Sequence, residues 1–373
     1  MKNGVKMKII FFMSHAYYFF DKKKGNRIGG AELNMVNIAK SLSLKKNCNI
    51  EFWTGDCNQN SIEKFNNITI RKIPFLFENK RNIFSKILTR VFFMYYSFIS
   101  QGDIFITSTR SDFFILWFFI VKLLKNKTIF FRVGQDIDVN GVLNNNISLY
   151  GILYKLALKK SDKIIVQSFY QKNCLIKLYN KKSILIRNSH IIQTPEHFQK
   201  REFICWIGRC RLVKNPELFL KLAKKMPNYK FIMILSEKNN LRDKILKKSS
   251  TIKNLTILES LDRNEVLNIL KKSKCLINTS KREGFSNTWI ESFMCGTPVL
   301  SYKVNPDNIL KKYNLGKHTK NSIEKTINFI KNLSTEKQKF YFKKTTKYVA
   351  KYHNIKNASE VYYKLISMFN IKT

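Results

Sequence analysis

Two carboxylates and two cations stand out in this chain of 373 residues by type and spacing. Glu283 and Glu291 fall within KREGFSNTWIESFMCGTPVLSY, Lys281–Tyr302. On one continuous helix they would lie about 12 Å apart along the axis. That is too far for a retaining hydrolytic pair, whose carboxyls sit about 5 Å from each other. The spacing fits better a loop Glu283 and a helical Glu291, two groups that grip separate hydroxyls of one extended ligand. Backbone amides of Gly284, Phe285, Ser286 and Asn287 would then open the helix, where N–H groups and the dipole favour an anion or an oxygen. Read alone, the pair also fits the solvated face of an ordinary helix. In CWIGRCRLVKNPELFLKLAKKMP, Cys205–Pro227, a strand Phe203–Ile207 gives way to Gly208 and Arg209. Lys214 comes just before a helix with Asn215 as cap and Pro216 in its first position. A guanidinium and an ammonium at the carboxyl end of a strand can neutralise a diphosphate without Mg²⁺. Gly29 and Gly30, in NRIGGAELNMVNIAKSL (Asn26–Leu42), let the backbone approach a phosphate at a helix start. They do not make the G-x-G-x-x-G dinucleotide fingerprint, and Gly-Gly is also an ordinary turn.

These residues need elements to carry them, and the pattern supplies two series. Short apolar runs read as strands at Lys8–Ser14, Ile50–Gly55, Ile68–Pro74, Asp103–Thr109, Thr128–Val133, Lys163–Ser168 and Ser183–Arg187. Helical patterns lie between several of them, at Ala31–Leu44, Asp112–Leu124 and Ser148–Lys160. A second series runs through Phe203–Ile207, Phe231–Leu235, Leu255–Leu258, Cys275–Asn278 and Pro298–Tyr302, with helices from Pro216, near Asn264–Lys272 and up to Cys295. Continuous apolar strands of this kind require a parallel sheet covered on both faces. The expected fold class is α/β, with two Rossmann-like domains. The polar stretch between Asn188 and Glu202 places the seam. Residues 1–190 form the first domain, 191–355 the second, and a helix in 356–373 is open to return to the first.

In this order, the three segments resemble glycosyltransferase family 4, retaining enzymes of GT-B fold, most strongly from about Phe203 to Gly316. EGFSNTWIE fits the E-x(7)-E pattern of that family. The stretches Ser161–Leu175 and Val304–Gly316 look like family segments too. The resemblance implies two domains facing each other across a donor cleft. It implies that Glu283 contacts a donor sugar and Glu291 the nucleotide ribose, with Arg209 and Lys214 on the diphosphate. Gly29 and Gly30 would form the loop near donor phosphate and acceptor. The family's His-Asp pair has no match here: the corresponding run is FRVGQDIDVNG, which offers Gln135 and Asp136 as sugar contacts instead. The implied activity is retaining transfer of a sugar from a nucleotide-diphospho-sugar to a glycan or lipid-linked acceptor, in cell-surface polysaccharide assembly. No side chain stands out as a nucleophile, and no cofactor is expected. Other GT-B activities, a nucleotide-sugar epimerase or a phosphorylase, remain open at this point.

Composition narrows the classes. Hydrophobic residues make up 44% of the chain and aromatic residues 13%, which excludes a disordered protein. The longest apolar run, Phe113–Val121, is far short of the roughly 20 residues that cross a bilayer. The N-terminus reads as a strand and not as a signal peptide, so the cytoplasm is the expected location, on the inner face of the membrane if the enzyme is peripheral. Seven scattered cysteines without a C-x-x-C pair point to reduced thiols. Asp136-Ile-Asp138 has the D-x-D form of a metal motif, but the E-x(7)-E segment belongs to a metal-independent fold, so no metal is expected. The formal charge of +43 is shared by both halves of the chain. It fits lysine-rich coding bias or attraction to a polyanion. Specific nucleic-acid binding has no helix-turn-helix, zinc finger or RNP-like strand behind it. Arg81–Ile99, RNIFSKILTRVFFMYYSFI, mixes Arg81, Lys86 and Arg90 with large apolar residues. It fits either an anionic membrane interface or a buried helix of the first domain.

Overall fold

The structure is a computed structural model that describes residues 6–21, 29–76, 83–141, 148–237, 239–259 and 261–369. Arg81, and Asn26–Ile28 of the glycine segment, lie outside the described residues. The chain divides into two compact units, Met1–Ile191 together with Ile355–Thr373, and Ile192–Asn354.

The first unit is built on an eight-stranded sheet: β1 (Met7–Phe12), β2 (Cys48–Thr54), β3 (Ile62–Phe65), β4 (Ile68–Lys72), β5 (Ile104–Ser108), β6 (Thr128–Arg132), β7 (Lys163–Val166) and β8 (Ile184–Leu185). Their order is β3-β4-β2-β1-β5-β6-β7-β8, and every pair is parallel except β3 with β4. Side chains alternate across a strand, so Ile9 and Phe11 of β1 enter one core while Ile10 and Phe12 enter the other. Both faces are therefore covered, which is why the strands read as unbroken apolar runs. The edge strand β3 was not among the expected strands. It is short, alternates exposed and half-buried residues, and so lacks an apolar run. The helix Ile355–Ser367 belongs to this unit and packs on the helix Gly30–Leu42, with Ser41 and Ser359 joined by a hydroxyl hydrogen bond of 2.8 Å.

The second unit has six strands: β9 (Phe203–Arg209), β10 (Lys230–Ser236), β11 (Leu255–Glu259), β12 (Ser273–Asn278), β13 (Val299–Ser301) and β14 (Gly316–His318). All pairs are parallel, in the order β11-β10-β9-β12-β13-β14. The inner strands β9 and β12 lie side by side, so the loops at their carboxyl ends share one edge of the sheet. That edge is where open α/β sheets bind ligands.

Candidate active site

The loop after β9 is held by its own strand and by the loop after β12. β9 extends to Arg209, two residues beyond the expected strand end at Ile207. Gly208 leaves room for the Trp206 indole, since a Cβ there would stand 3.0 Å from the ring. The indole Nε1–H donates to Thr279 Oγ1 at 2.8 Å, and that hydroxyl donates to the Lys214 carbonyl at 2.6 Å. The Lys281 N–H donates to the Val213 carbonyl at 2.8 Å. Lys214 therefore sits on a short turn, Leu212–Lys214, tied at two points to the loop that carries Glu283. Asn215 follows in the left-handed region (φ 50°) without a side-chain cap bond, and Pro216 opens the helix Pro216–Lys225. Arg209 is exposed at the tip of β9.

Glu283 stands in the loop between β12 and the helix Asn287–Met294, so it and Glu291 do not share a continuous helix. Its Oε1 accepts from Lys214 Nζ at 2.8 Å, from Asn278 Nδ2 at 2.9 Å and from Ser280 Oγ. Asn278, at the last position of β12, is oriented in turn by Ser301, whose hydroxyl donates to Asn278 Oδ1 at 3.2 Å. Burial pushes the Glu283 carboxyl upward, but Lys214, Ser280 and Asn278 outweigh it and hold the group below the usual carboxylate range. The result is an ionised carboxylate with all three of its contacts on one oxygen. Ser280 and Asn278 did not figure among the sequence candidates. Three small polar residues, Asn278-Thr279-Ser280, at the end of an apolar strand are the signal that marks them.

Glu291 lies on the helix Asn287–Met294 and faces Arg263, with Nε and Oε1 at 3.3 Å. Here burial prevails over the guanidinium, and the carboxyl is raised above its ordinary value. The helix ends as expected, with Gly296 left-handed (φ 72°). Thr297 N–H bonds Ser292 O at 2.8 Å and Gly296 N–H bonds Phe293 O at 3.1 Å, the double bond pattern of a Schellman cap. Ser286 is the N-cap, but its hydroxyl meets Thr288 Oγ1 at 2.7 Å and caps no backbone amide. The Phe285 side chain is buried, with its ring 4.8 Å from the His353 ring and 6.5 Å from the Trp289 ring, which leaves its backbone amide, the group expected to face a ligand, as the part that can do so. Gly284 and Asn287 are half-buried beside it.

The first unit's candidates are committed differently. Gly29 caps the helix Gly30–Leu42, and a Cβ on it would stand 2.2 Å from Glu32 Oε2. The helix start therefore already carries a carboxylate, which the dipole favours, and a phosphate there must displace it. At the carboxyl end of β6, Asp138 is buried and its Oδ2 accepts from the N–H groups of Gly134 at 3.0 Å and Gln135 at 2.9 Å. Asp136 Oδ1 accepts from Gln171 Nε2 at 2.9 Å. The D-x-D carboxylates thus build their own loop. Gln135 is exposed. Among the described residues, no group of three His, Cys, Asp or Glu side chains gathers to hold a metal ion.

Residues 188–347 match the family model described as glycosyl transferases group 1. The second unit is a group 1 glycosyl transferase domain, and the chain is a glycosyltransferase. An uncharacterized glycosyltransferase of Methanocaldococcus jannaschii is 25% identical over 286 residues, covering 74% of this chain and 76% of its own. Sucrose-phosphate synthase from Thermosynechococcus elongatus superposes with a TM-score of 0.76 at 14% identity, over 98% of this chain and all of its own. HepE of Anabaena, solved with UDP and glucose, superposes with a TM-score of 0.68 at 11% identity, over 97% of this chain and all of its own. The two parallel-sheet units are those of a GT-B glycosyltransferase. No helix among the described residues is long and apolar enough to cross a membrane.

Proposed function

We propose that this glycosyltransferase is a family 4 enzyme that takes its sugar from a nucleotide-diphospho-sugar and transfers it with retention, without a metal. The observation that carries the reading is the Glu283 carboxylate: Oε1 is fixed by Lys214, Asn278 and Ser280, and Oε2 makes none of those bonds. A carboxylate gripped on one oxygen and ionised by its neighbours is a preorganised acceptor for sugar hydroxyls. The barrier to be lowered is departure of a diphosphate from an anomeric carbon that becomes oxocarbenium-like. Arg209 at the tip of β9 and Lys214 beside it serve the charge that gathers on the leaving group. An ammonium has three N–H groups, so Lys214 can keep Glu283 and still donate to a phosphate oxygen. Glu291 takes the ribose hydroxyls, and Gly208 with the Gly284–Asn287 backbone lines the nucleotide side. In the transfer, the anomeric C–O bond to phosphate breaks on the face where the bond to the acceptor oxygen forms. The acceptor proton passes to the departing phosphate oxygen, so positioning supplies most of the catalysis.

The acceptor we assign is a glycan or a lipid-linked glycan of cell-surface polysaccharide assembly, with the enzyme peripheral on the cytoplasmic side of an anionic membrane. A chain of charge +43 is drawn to such a surface. Gly29 and Gly30 are assigned to the phosphate or acceptor once Glu32 moves aside, and Gln135 and Asp136 to sugar contacts. The test is thermal shift and calorimetry with UDP, GDP, ADP and their sugars, with and without EDTA. Selective stabilisation by one nucleoside diphosphate, insensitive to EDTA and lost in Glu291→Ala, is the expected result. No response to any of them, or a response abolished by EDTA, overturns the reading.

A further inference from the structure

The helix Ile83–Ile99 is turned inside out. An ordinary surface helix buries its apolar stripe and shows its polar one. Here the residues buried at four-residue intervals are Ser85, Thr89, Phe93 and Ser97, three of them hydroxylic. Their polarity is answered locally. Thr89 Oγ1 donates to Ser85 O at 2.8 Å, and Ser97 Oγ donates to Phe93 O at 2.6 Å while accepting from Trp117 Nε1 at 3.0 Å. The opposite face carries Phe84, Ile87, Val91, Tyr95 and Phe98, each between 53% and 65% exposed. Their spacing of three and four residues makes one continuous stripe. Leu124, 71% exposed, adjoins the end of that stripe, because the next residue, Lys125, donates from Nζ to the Phe98 carbonyl at 2.8 Å. An apolar face of this size left to water marks an interaction site.

The charge on and around the stripe selects its occupant. The helix contains no Asp or Glu, and its cations are Lys86, which is exposed, and Arg90, which pairs with Asp112. A second copy of the chain would bring +43 against +43, and that repulsion opposes association. A bilayer surface with anionic headgroups accepts both features. At 17 residues the helix is about 25 Å long, too short to cross the hydrocarbon core but suited to lie in its interface. We infer that the Phe84–Phe98 face docks this enzyme onto anionic phospholipid, apolar stripe in the acyl boundary and lysines toward the headgroups. The inference refines the membrane reading above and is independent of the donor assignment.

The test is sedimentation of the full chain with vesicles of phosphatidylcholine alone or mixed with phosphatidylglycerol. Wild type should bind the mixed vesicles and keep part of that binding at about 1 M salt, where charges are screened beyond about 3 Å. Ile87→Glu combined with Val91→Glu should weaken binding at least about tenfold without lowering the melting temperature, since both positions are exposed and Glu sustains a helix. Lys343→Glu, an exposed site of the second unit with the same net charge change, should weaken it far less. Equal loss in Lys343→Glu, unchanged binding in the double variant, or no binding by wild type overturns the inference. So does a wild-type dimer that becomes a monomer in the double variant, which would give the face to a second copy. The thermal shift by nucleoside diphosphate should be the same in the double variant and wild type, and its absence in both would fault the donor reading alone.

Discussion

Asp138 and Glu283 both stand in loops that leave the carboxyl end of an inner parallel strand, β6 in the first unit and β12 in the second. Each is mostly removed from water, and each accepts hydrogen bonds through one carboxylate oxygen. Asp138 receives backbone N–H groups from the residues just before it, so its carboxylate closes its own turn. Glu283 receives side chains, Asn278 and Ser280 from the run just before it and Lys214 from the loop after β9, so its carboxylate is aimed by its surroundings. The first arrangement shapes a loop and the second prepares a ligand contact. An acidic residue at a strand end is therefore not informative by position; what identifies a site is which kind of donor holds it.

The largest expected effect separates the two directly. Glu283→Ala should cost at least about a hundredfold in transfer per folded molecule, the scale of a lost transition-state contact, and should also lower the melting temperature at pH 7, where the carboxylate stabilises the fold. Asp138→Ala should lower stability alone: two part-buried N–H groups lose their acceptor, at about 1–3 kcal/mol each at most, while turnover per folded molecule stays within a few-fold. Melting curves and initial rates on a verified donor and acceptor check both. A Glu283→Ala variant as active as wild type would erase the distinction and the site with it.

A smaller effect follows from the opposite displacements of the two carboxyls. Lys214, Ser280 and Asn278 hold Glu283 below its ordinary value against the pull of burial. Its contribution to stability is present above the unfolded value and is lost as pH falls through the folded one. Burial raises Asp138, and the two backbone N–H groups only partly offset it. Folding therefore favours its protonated form, and its contribution declines as pH rises from the unfolded value through the folded one. Melting temperatures of Glu283→Gln and Asp138→Asn, followed from pH 7 into the acid range, should diverge from wild type in opposite senses. At pH 7 Asp138→Asn should be as stable as wild type or more so, since the amide oxygen can still accept both bonds and no charge is buried. Parallel curves for the two variants would mean that the loops hold their carboxylates alike.

The sheet was readable in the sequence because strands covered on both faces leave unbroken apolar runs, and β3 was missed because an exposed edge strand leaves none. The division of Glu283 into a loop and Glu291 onto a helix followed from helix geometry and the Gly296 stop. The partners of the two carboxylates did not. Lys214 meets Glu283 between the loops after β9 and β12, and Arg263 meets Glu291 between the helices Arg263–Lys272 and Asn287–Met294, and no local period encodes a pair of that kind. Nor does a local period encode the contact of the Phe285 ring with His353, far along the chain. The exposed stripe of Ile83–Ile99 shows the limit of periodicity itself: the spacing reveals an apolar face, and only packing reveals that the face points outward.

The smallest effect tests whether the β6 loop is purely architectural. Asp136 and Asp138 are held within the unit, Asp136 by Gln171 and Asp138 by its own loop's N–H groups, and Gln135 is the exposed member of the run. A neutral hydrogen bond to a sugar is worth about 1 kcal/mol, which is about fivefold in rate. Gln135→Ala should therefore lower kcat/KM by about that factor and leave the melting temperature unchanged. Asp136→Asn should leave the melting temperature unchanged, because an amide oxygen can take the Gln171 bond, and should lower kcat/KM less than Gln135→Ala does, because Asn keeps an acceptor for the sugar. If Gln135→Ala is silent, the whole loop serves the fold, and contact with the sugar rests on the side chains of the β9 and β12 loops. If it is not silent, Gln135 contacts the sugar through a side chain that its neighbours leave exposed.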